Sequence, residues 1–272
     1  MKVNFSKFEA AGNDFIMIDD RKEQFPEEDE TLVQKLCHRQ FGIGADGVIL
    51  IQNSSRGDYK MRIINADGKE ASMCGNGLRC TAGFVADILK KKHSEFLIES
   101  LRAVHACTIL EDEVHTELGR PILKEFSKHV EVGEFSYRVH LIDTGVPHAI
   151  MFVNSLEIPN FSATCRDIRN HPLFYPEGVN VNFAMITPDG ELHVRVYERG
   201  VEGETLACGS GAAASSIAAK YIYKLESPIQ VVFHSGQKLL CHLKEEDSSI
   251  TSVSVEGPYR HVFDGKLEID VI

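Results

Sequence analysis

Asn65-Ala66-Asp67-Gly68-Lys69-Glu70-Ala71-Ser72-Met73-Cys74-Gly75-Asn76-Gly77-Leu78-Arg79-Cys80 decides how this chain is read. In it Cys74 stands at the mouth of a Gly-Asn-Gly turn that leads into an apolar segment. The arrangement returns once, as Arg199-Gly200-Val201-Glu202-Gly203-Glu204-Thr205-Leu206-Ala207-Cys208-Gly209-Ser210-Gly211-Ala212-Ala213. The two cysteines are 208 − 74 = 134 residues apart, close to half of the 272-residue chain. Asn65 and Arg199 each stand nine residues before their cysteine, Glu70 and Glu204 each four before. Gly12 and Gly145, each in a turn opening onto an apolar strand, are 133 apart. Matched features at one offset describe two structurally similar halves.

Working outward, the apolar segment after Cys74 carries Leu78, Ala82, Phe84, Val85, Ile88 and Leu89 and ends in Lys90, Lys91 and Lys92, a buried helix with cations at its negative end. Its counterpart, Gly209 to about Lys224, has no charge before Lys220. A helix apolar on all sides has to be enclosed, so sheet is expected to wrap each one. A further helix is predicted over Asp29 to Gln40, stopped by Gly42, and a short one near Ala163 to Asn170. Most of the rest is β-rich: Lys2 to Asp19 with a turn at Gly12 and Asn13, Gly47 to Gln52, Tyr59 to Asn65, Glu95 to Glu99, Val104 to Leu110, Val114 to Leu118, Tyr137 to Ile142, Ala149 to Val153, Val179 to Ile186, Leu192 to Glu198, and a last strand over Lys266 to Ile272. The fold expected is α+β, two pseudo-symmetric domains, each a strongly curved, mostly antiparallel β-sheet around a buried central helix. The first covers 1–118 and is completed by a C-terminal strand at 263–272, the second covers 119–262, and the active site is expected in the cleft between them.

A chain of this length with 43% hydrophobic residues supports two packed cores. The net charge of −11 argues against nucleic acid or an anionic membrane as partner and leaves a small molecule as the ligand class. No signal peptide opens the chain and no apolar run is long enough to span a bilayer, so a cytoplasmic setting is expected. Seven cysteines without paired spacing fit free thiols, and no Cys-x-x-Cys or His-Glu-x-x-His cluster points to zinc. Cys37, Cys80, Cys107, Cys165 and Cys241 are expected as inert core residues.

Cys74 and Cys208 are different. The first turn of a helix presents unpaired N–H groups and a partial positive charge, which favours a thiolate and can hold a ligand carboxylate. Glycines beside the cysteine let that ligand reach the backbone. One such site describes a nucleophile; two related by an internal repeat describe a nearly symmetric reaction, a proton removed from one face of a carbon and one returned to the other. Two other classes stay open at this point: a thiol hydrolase or transferase using Cys74 with His148, and a redox-responsive binding protein in which Cys74 and Cys208 join. Read singly, Asn13, Asn65 and Asn180 are also ordinary turn residues, and Glu198 with Arg199 a surface ion pair.

Asn-Ala-Asp-Gly-x-Glu followed by Met-Cys-Gly-Asn-Gly-x-Arg-Cys, then Pro-Glu-Gly-x-Asn-Val-Asn-Phe, Glu-Arg-Gly-Val, Glu-Thr and Ala-Cys-Gly-Ser-Gly, with Gly-Asn-Asp-Phe near the start, resembles the diaminopimelate epimerases from first strand to last. The resemblance implies an isomerase without cofactor or metal, acting in lysine and cell-wall precursor synthesis, and a homodimer. It implies Cys74 and Cys208 as the acid–base pair, with His148 and Glu198 supporting them. The amides of Gly75, Asn76, Gly209 and Ser210 would take the substrate α-carboxylate; Arg199 would bind the distal carboxylate, and Asn13, Asn65 and Asn180 the distal ammonium. Three places depart from a common form of the family: Val146 replaces the Asn of a Gly-Asn-Pro-His turn, Gly47 replaces a Gln after the Asp at 46, and one extra residue lies within Glu198 to Thr205. These leave the thiols in place and alter the distal contacts, so weaker discrimination against a shorter amino acid such as glutamate is expected.

Overall fold

The structure, a computed structural model, describes residues 2–90, 94–111 and 113–268. In chain order the first elements are β1 (Lys2–Ala10), β2 (Asn13–Asp19), α1 (Glu30–Cys37), β3 (Gly47–Gln52), β4 (Tyr59–Asn65), β5 (Glu70–Ala71), α2 (Gly75–Asp87), β6 (Glu95–Glu99), β7 (Val104–Leu110) and β8 (Glu113–Gly119). There follow β9 (Ile122–Val132), β10 (Phe135–Asp143), β11 (Pro147–Phe152), α3 (Phe161–Arg169), β12 (Asn180–Ile186), β13 (Leu192–Glu198), β14 (Gly203–Glu204), α4 (Gly209–Tyr223), β15 (Ile229–Phe233), β16 (Lys238–Glu246), β17 (Ser249–Pro258) and β18 (Arg260–Glu268). Two compact units result, one of residues up to Thr116 with those from Gly257 onward, the other from Glu117 to Glu256.

Each unit follows one plan. In the first, β1 and β2 pair antiparallel, β2 and β3 parallel, β3 and β4 antiparallel, and β4 takes the short β5 antiparallel and β6 parallel. In the second, the same relations hold for β10, β11, β12, β13, β14 and β15. The register repeats with them: Phe15 faces Gly47 and Met17 faces Ile49, while 133 residues on His148 faces Asn180 and Ile150 faces Asn182.

Packing follows from strand alternation. Ile49 and Ile51 of β3 point to the side of α2, Val48 and Leu50 to the side of α1, so β3 is apolar from Val48 to Ile51 because both its faces are covered. Around α2 the core draws on Phe8, Phe15, Met61, Ile63, Phe96, Ile98, Cys107 and Val114, that is, on strands from β1 to β8. A sheet that meets one helix from so many strands is curved about it. Leu78, Cys80, Ala82 and Val85 of α2 are fully buried, each large side chain worth roughly 1.5–3 kcal/mol by removal from water. In the second unit α4 is buried from Gly209 to Ala219, where every residue but Ile217 is Gly, Ala or Ser and so admits close sheet approach, while Phe161, Cys165 and Ile168 of α3 cover the opposite face over Val181 and Phe183.

The boundaries differ from the sequence expectation where the chain turns back. Helix α1 ends at Cys37, not Gln40, because Ile43 and Gly44 return their N–H groups to the Leu36 carbonyl; Gly42 packs on the Lys35 carbonyl, where a β-carbon would sit at 2.0 Å. Helix α2 stops at Asp87 with no cation in its last turn, and Lys90 bends into a left-handed conformation at φ 52°; Lys91 and Lys92 lie outside the described residues. The first hairpin turns at Ala11 and Gly12, and Asn13 already pairs with Ala10 as a strand residue. Strand β9 has no period-two signature because Val130 alone of its eleven side chains is buried. The expected last strand is β18 through Glu268, and residues 269–272 are outside the described chain. Among the described residues no helix is long and apolar enough to cross a membrane.

Candidate active site

Both cysteines are helix N-caps. Cys74 has extended backbone (φ −149°, ψ 120°) and its Sγ accepts the N–H of Gly77; Cys208 has φ −133°, ψ 113° and accepts the N–H of Gly211. Each N–H···S distance is 3.4 Å. The role usually filled by Ser or Asp falls here to sulfur, which sits on the positive end of the helix dipole. The expected carboxylate donors, Gly75 and Asn76 in one unit and Gly209 and Ser210 in the other, form the first turns of α2 and α4, whose N–H groups point out of the helix end.

In the first unit the Cys74 thiol donates to Asn13 Oδ1 at 3.7 Å. Asn13 in turn donates through Nδ2 to Asp46 Oδ2 at 2.7 Å, so its amide oxygen is the atom left facing sulfur. Asp46 is held by Arg39 Nη2 at 2.7 Å, and Arg39 reaches Asp14, which pairs with the buried Lys7 at 2.7 Å. Burial pushes the Asp14 carboxyl up, but Arg39 and Lys7 outweigh it and hold it below the ordinary value. Asn76 Oδ1 accepts from the fully buried Arg79 at 2.6 Å, which also donates to the Pro258 carbonyl. Asn65 ends β4 directly opposite Gly47.

In the second unit a connected chain of polar groups lies under Cys208. Its Sγ is 3.4 Å from Ser210 Oγ; Ser210 Oγ is 3.0 Å from His148 Nε2; His148 Nδ1 is 2.9 Å from Asn182 Nδ2. All four residues are buried. Thr144 Oγ1 fixes the Ser210 carbonyl at 2.9 Å. Burial, aided by the charge of Arg199, drives His148 down to about 3, so the ring is neutral at any ordinary pH. Asn180 Oδ1 accepts the Arg199 backbone N–H at 2.8 Å, and the Arg199 guanidinium donates to the Glu177 carbonyl at 2.9 Å. Glu198, ending β13, accepts the Thr205 hydroxyl.

The structure therefore joins Cys74 with Asn13, Cys208 with Ser210 and His148, and Asn180 with Arg199. Neither cysteine belongs to a cluster of three metal-ligating side chains among the described residues. The other five cysteines are buried, with burial pushing Cys37 up to about 12 and Cys80 and Cys165 higher than the ordinary value. Sequence reasoning missed the Ser210 hydroxyl and Asn182. It also missed two matched braces: Arg62 donates to both oxygens of Glu70 at 2.7 and 3.0 Å, and Arg195 to both of Glu204 at 2.8 and 2.7 Å. The repeat held the signal, since Arg62 and Arg195 are 133 apart and the two glutamates 134.

With this geometry in hand, comparison with known proteins is specific. The family model for diaminopimelate epimerase matches residues 5–124 and 140–262. The chain belongs to the diaminopimelate epimerase family. A diaminopimelate epimerase of Flavobacterium psychrophilum is 38% identical over 260 residues, covering 95% of this chain and 97% of that one. One of Archaeoglobus fulgidus is 36% identical over 289 residues, covering 99% and 98%. Among solved structures, the fold is shared with a phenazine biosynthesis protein of the PhzF family from Bacillus anthracis (TM-score 0.75, 16% identity, 99% of this chain and 100% of that). It is shared also with a hydroxyproline epimerase from Agrobacterium vitis (TM-score 0.73, 14% identity, 98% and 91%). Against the diaminopimelate epimerase pattern, the repeat gives the departure at Val146 a structural meaning: it occupies the position 133 residues after Asn13, so the amide present beside Cys74 has an apolar counterpart in the second unit.

Proposed function

We propose that this chain is a cofactor-independent epimerase interconverting LL- and meso-diaminopimelate, with Cys74 and Cys208 working on opposite faces of one α-carbon. The observation that carries the reading is that both cysteines cap buried helices through the same N–H···S contact in a family named for this reaction. A thiolate takes the α-proton while the opposite thiol donates one, and the reverse substrate uses the reverse assignment. First-turn amides of Gly75, Asn76, Gly209 and Ser210 hold the α-carboxylate and the charge that develops on it. Arg199 receives the distal carboxylate, and Asn13, Asn65 and Asn180 contact the distal ammonium. His148 and Glu198 support the thiols, His148 as a neutral ring acting through Ser210. The enzyme would serve lysine and peptidoglycan precursor synthesis, as a homodimer in the cytoplasm.

The test is incubation with LL-diaminopimelate in heavy water, under reductant and without added cofactor, followed by NMR. Deuterium should enter the α-position as the meso isomer forms, and no exchange with any diaminopimelate isomer would sink the reading. Cys74→Ala and Cys208→Ala should each abolish net epimerisation.

Relaxed substrate choice is part of the same proposal. Gly47 stands opposite Asn65 without a side chain, and a β-carbon there would lie 2.7 Å from the Ile64 carbonyl, so this backbone is fitted to glycine. With Val146 also apolar, fewer amides are available to a second zwitterionic centre. Slow α-hydrogen exchange with glutamate is expected, and its absence at high enzyme concentration would remove this part alone.

A further inference from the structure

The internal repeat supplies its own control for the polar chain beneath Cys208. Position for position, the residues that pack under α2 are Phe15 and Ile49, both in the apolar core, while their counterparts under α4 are His148 and Asn182. A buried Asn in a place that an Ile can fill has a cost, and its Oδ1 is buried with no hydrogen-bond partner among the described residues. Such a group is retained for what its other end does.

That other end is fixed in orientation. Asn182 Nδ2 lies 3.4 Å from the Ala149 carbonyl and 2.9 Å from His148 Nδ1. A carbonyl only accepts, so the amide nitrogen has to face it, and the same nitrogen then donates to Nδ1. His148 Nδ1 is an acceptor, which leaves the ring proton on Nε2, aimed at Ser210 Oγ. With one lone pair taken by that proton, the Ser210 hydroxyl points its own hydrogen at Cys208 Sγ. At Cys74 the logic runs in the opposite sense. Asp46, an acceptor, claims the Asn13 amide nitrogen and turns Oδ1 to the sulfur, which needs a proton to bond with it. The nearest charges agree: the Asp46 carboxylate lies next to the amide that bridges to Cys74, whereas the cation Arg199 acts on His148.

We propose that Asn182 and Asn13 are positioning residues that set opposite hydrogen-bond polarity at the two sulfurs, so the resting protein carries Cys208 as thiolate and Cys74 as thiol. The inference rests on the two-thiol reading above and assigns the resting proton. It makes Cys208 the base for whichever isomer presents its α-hydrogen to that side, with the other isomer requiring proton redistribution first.

The test uses the full-length protein without substrate, so it stands or falls separately from epimerase turnover. Alkylation by iodoacetamide is followed against pH by mass spectrometry of the Cys74 and Cys208 peptides, and the His148 tautomer by nitrogen-15 NMR. Wild type should show a lower alkylation midpoint for Cys208 than for Cys74 and a His148 ring protonated on Nε2. Asn182→Asp places an acceptor against Nδ1, so above the imidazolium range the ring proton should move to Nδ1, Ser210 should turn to Nε2, and the Cys208 midpoint should rise by about one pH unit, a tenfold loss of thiolate. Ser210→Ala should raise that midpoint equally without changing the tautomer, and the double variant should add nothing. A purely structural Asn182 would leave the tautomer alone and add to Ser210→Ala. Either of those results, or a Cys74 midpoint below that of Cys208, overturns the proposal; an Asn182→Asp chain that does not fold leaves the wild-type midpoints, tautomer and Ser210→Ala to decide it.

Discussion

Replacing His148 with Asn should change how stability depends on pH, and the structure fixes the sign and size. The ring is fully buried and neutral, with its folded value brought from 6.5 to about 3. Between those values the unfolded chain binds a proton that the folded chain refuses, so stability rises with pH there and is lost as pH falls below 6.5. Each pH unit inside the window is worth about 1.4 kcal/mol, so by pH 5 the wild type should have lost about 2 kcal/mol that a non-titrating variant keeps. His148→Asn starts less stable at neutral pH, because it leaves a void and strips Ser210 and Asn182 of a partner. The difference between the two proteins should then shrink by about 2 kcal/mol from pH 7 to pH 5. The chain has no tryptophan, so urea unfolding at pH 7, 6 and 5 is best followed by far-ultraviolet circular dichroism. A difference that stays constant across the series would show that His148 is not held neutral and would remove the basis for its role through Ser210.

Two further expectations use the duplicated plan. A β-carbon at Gly211 would lie 2.7 Å from Asn182 Oδ1, whereas at Gly77 its tightest contacts would be the Ile63 and Ile49 δ-methyls at 3.0 and 3.1 Å, which can swing aside. Gly211→Ala should therefore lose about tenfold or more in kcat with Gly77→Ala much closer to wild type; equal losses would contradict the reading of the Asn182 layer. Glu204→Gln breaks a bidentate pair to Arg195, whose guanidinium also lies 3.8 Å over the Phe161 ring, and should cost about 1–2 kcal/mol in urea unfolding, a cost that an unchanged midpoint would disprove.

Much of this molecule was legible because glycine, cysteine and helix starts speak locally. The Cys-Gly-x-Gly mouths, the two all-apolar helices and the 134-residue offset required only periodicity and counting, and the structure returns them as Cys74 and Cys208 capping α2 and α4. Features that depend on what lies across the sheet were not legible. Ser210 reads as one more first-turn amide, and only the approach of β11 makes its hydroxyl a bridge to His148. Asn182 sits in a Val-Asn-Phe run that reads as a plain strand; its meaning comes from register, beside His148 and under Gly211. Strand β9 escaped because a strand that buries only Val130 carries no alternation to read.

The account rests on two monoprotic thiols serving opposite faces, and the deuterium content of the first product molecules tests that directly. LL-diaminopimelate is mixed with excess protein in heavy water and quenched within one turnover. A thiol that has just taken the α-proton cannot deliver it to the far face, so every meso product should carry one solvent deuterium at the inverted carbon while unreacted LL substrate carries none. Product that retains the original hydrogen would mean a single group carries the proton across, and would contradict the pairing of Cys74 with Cys208.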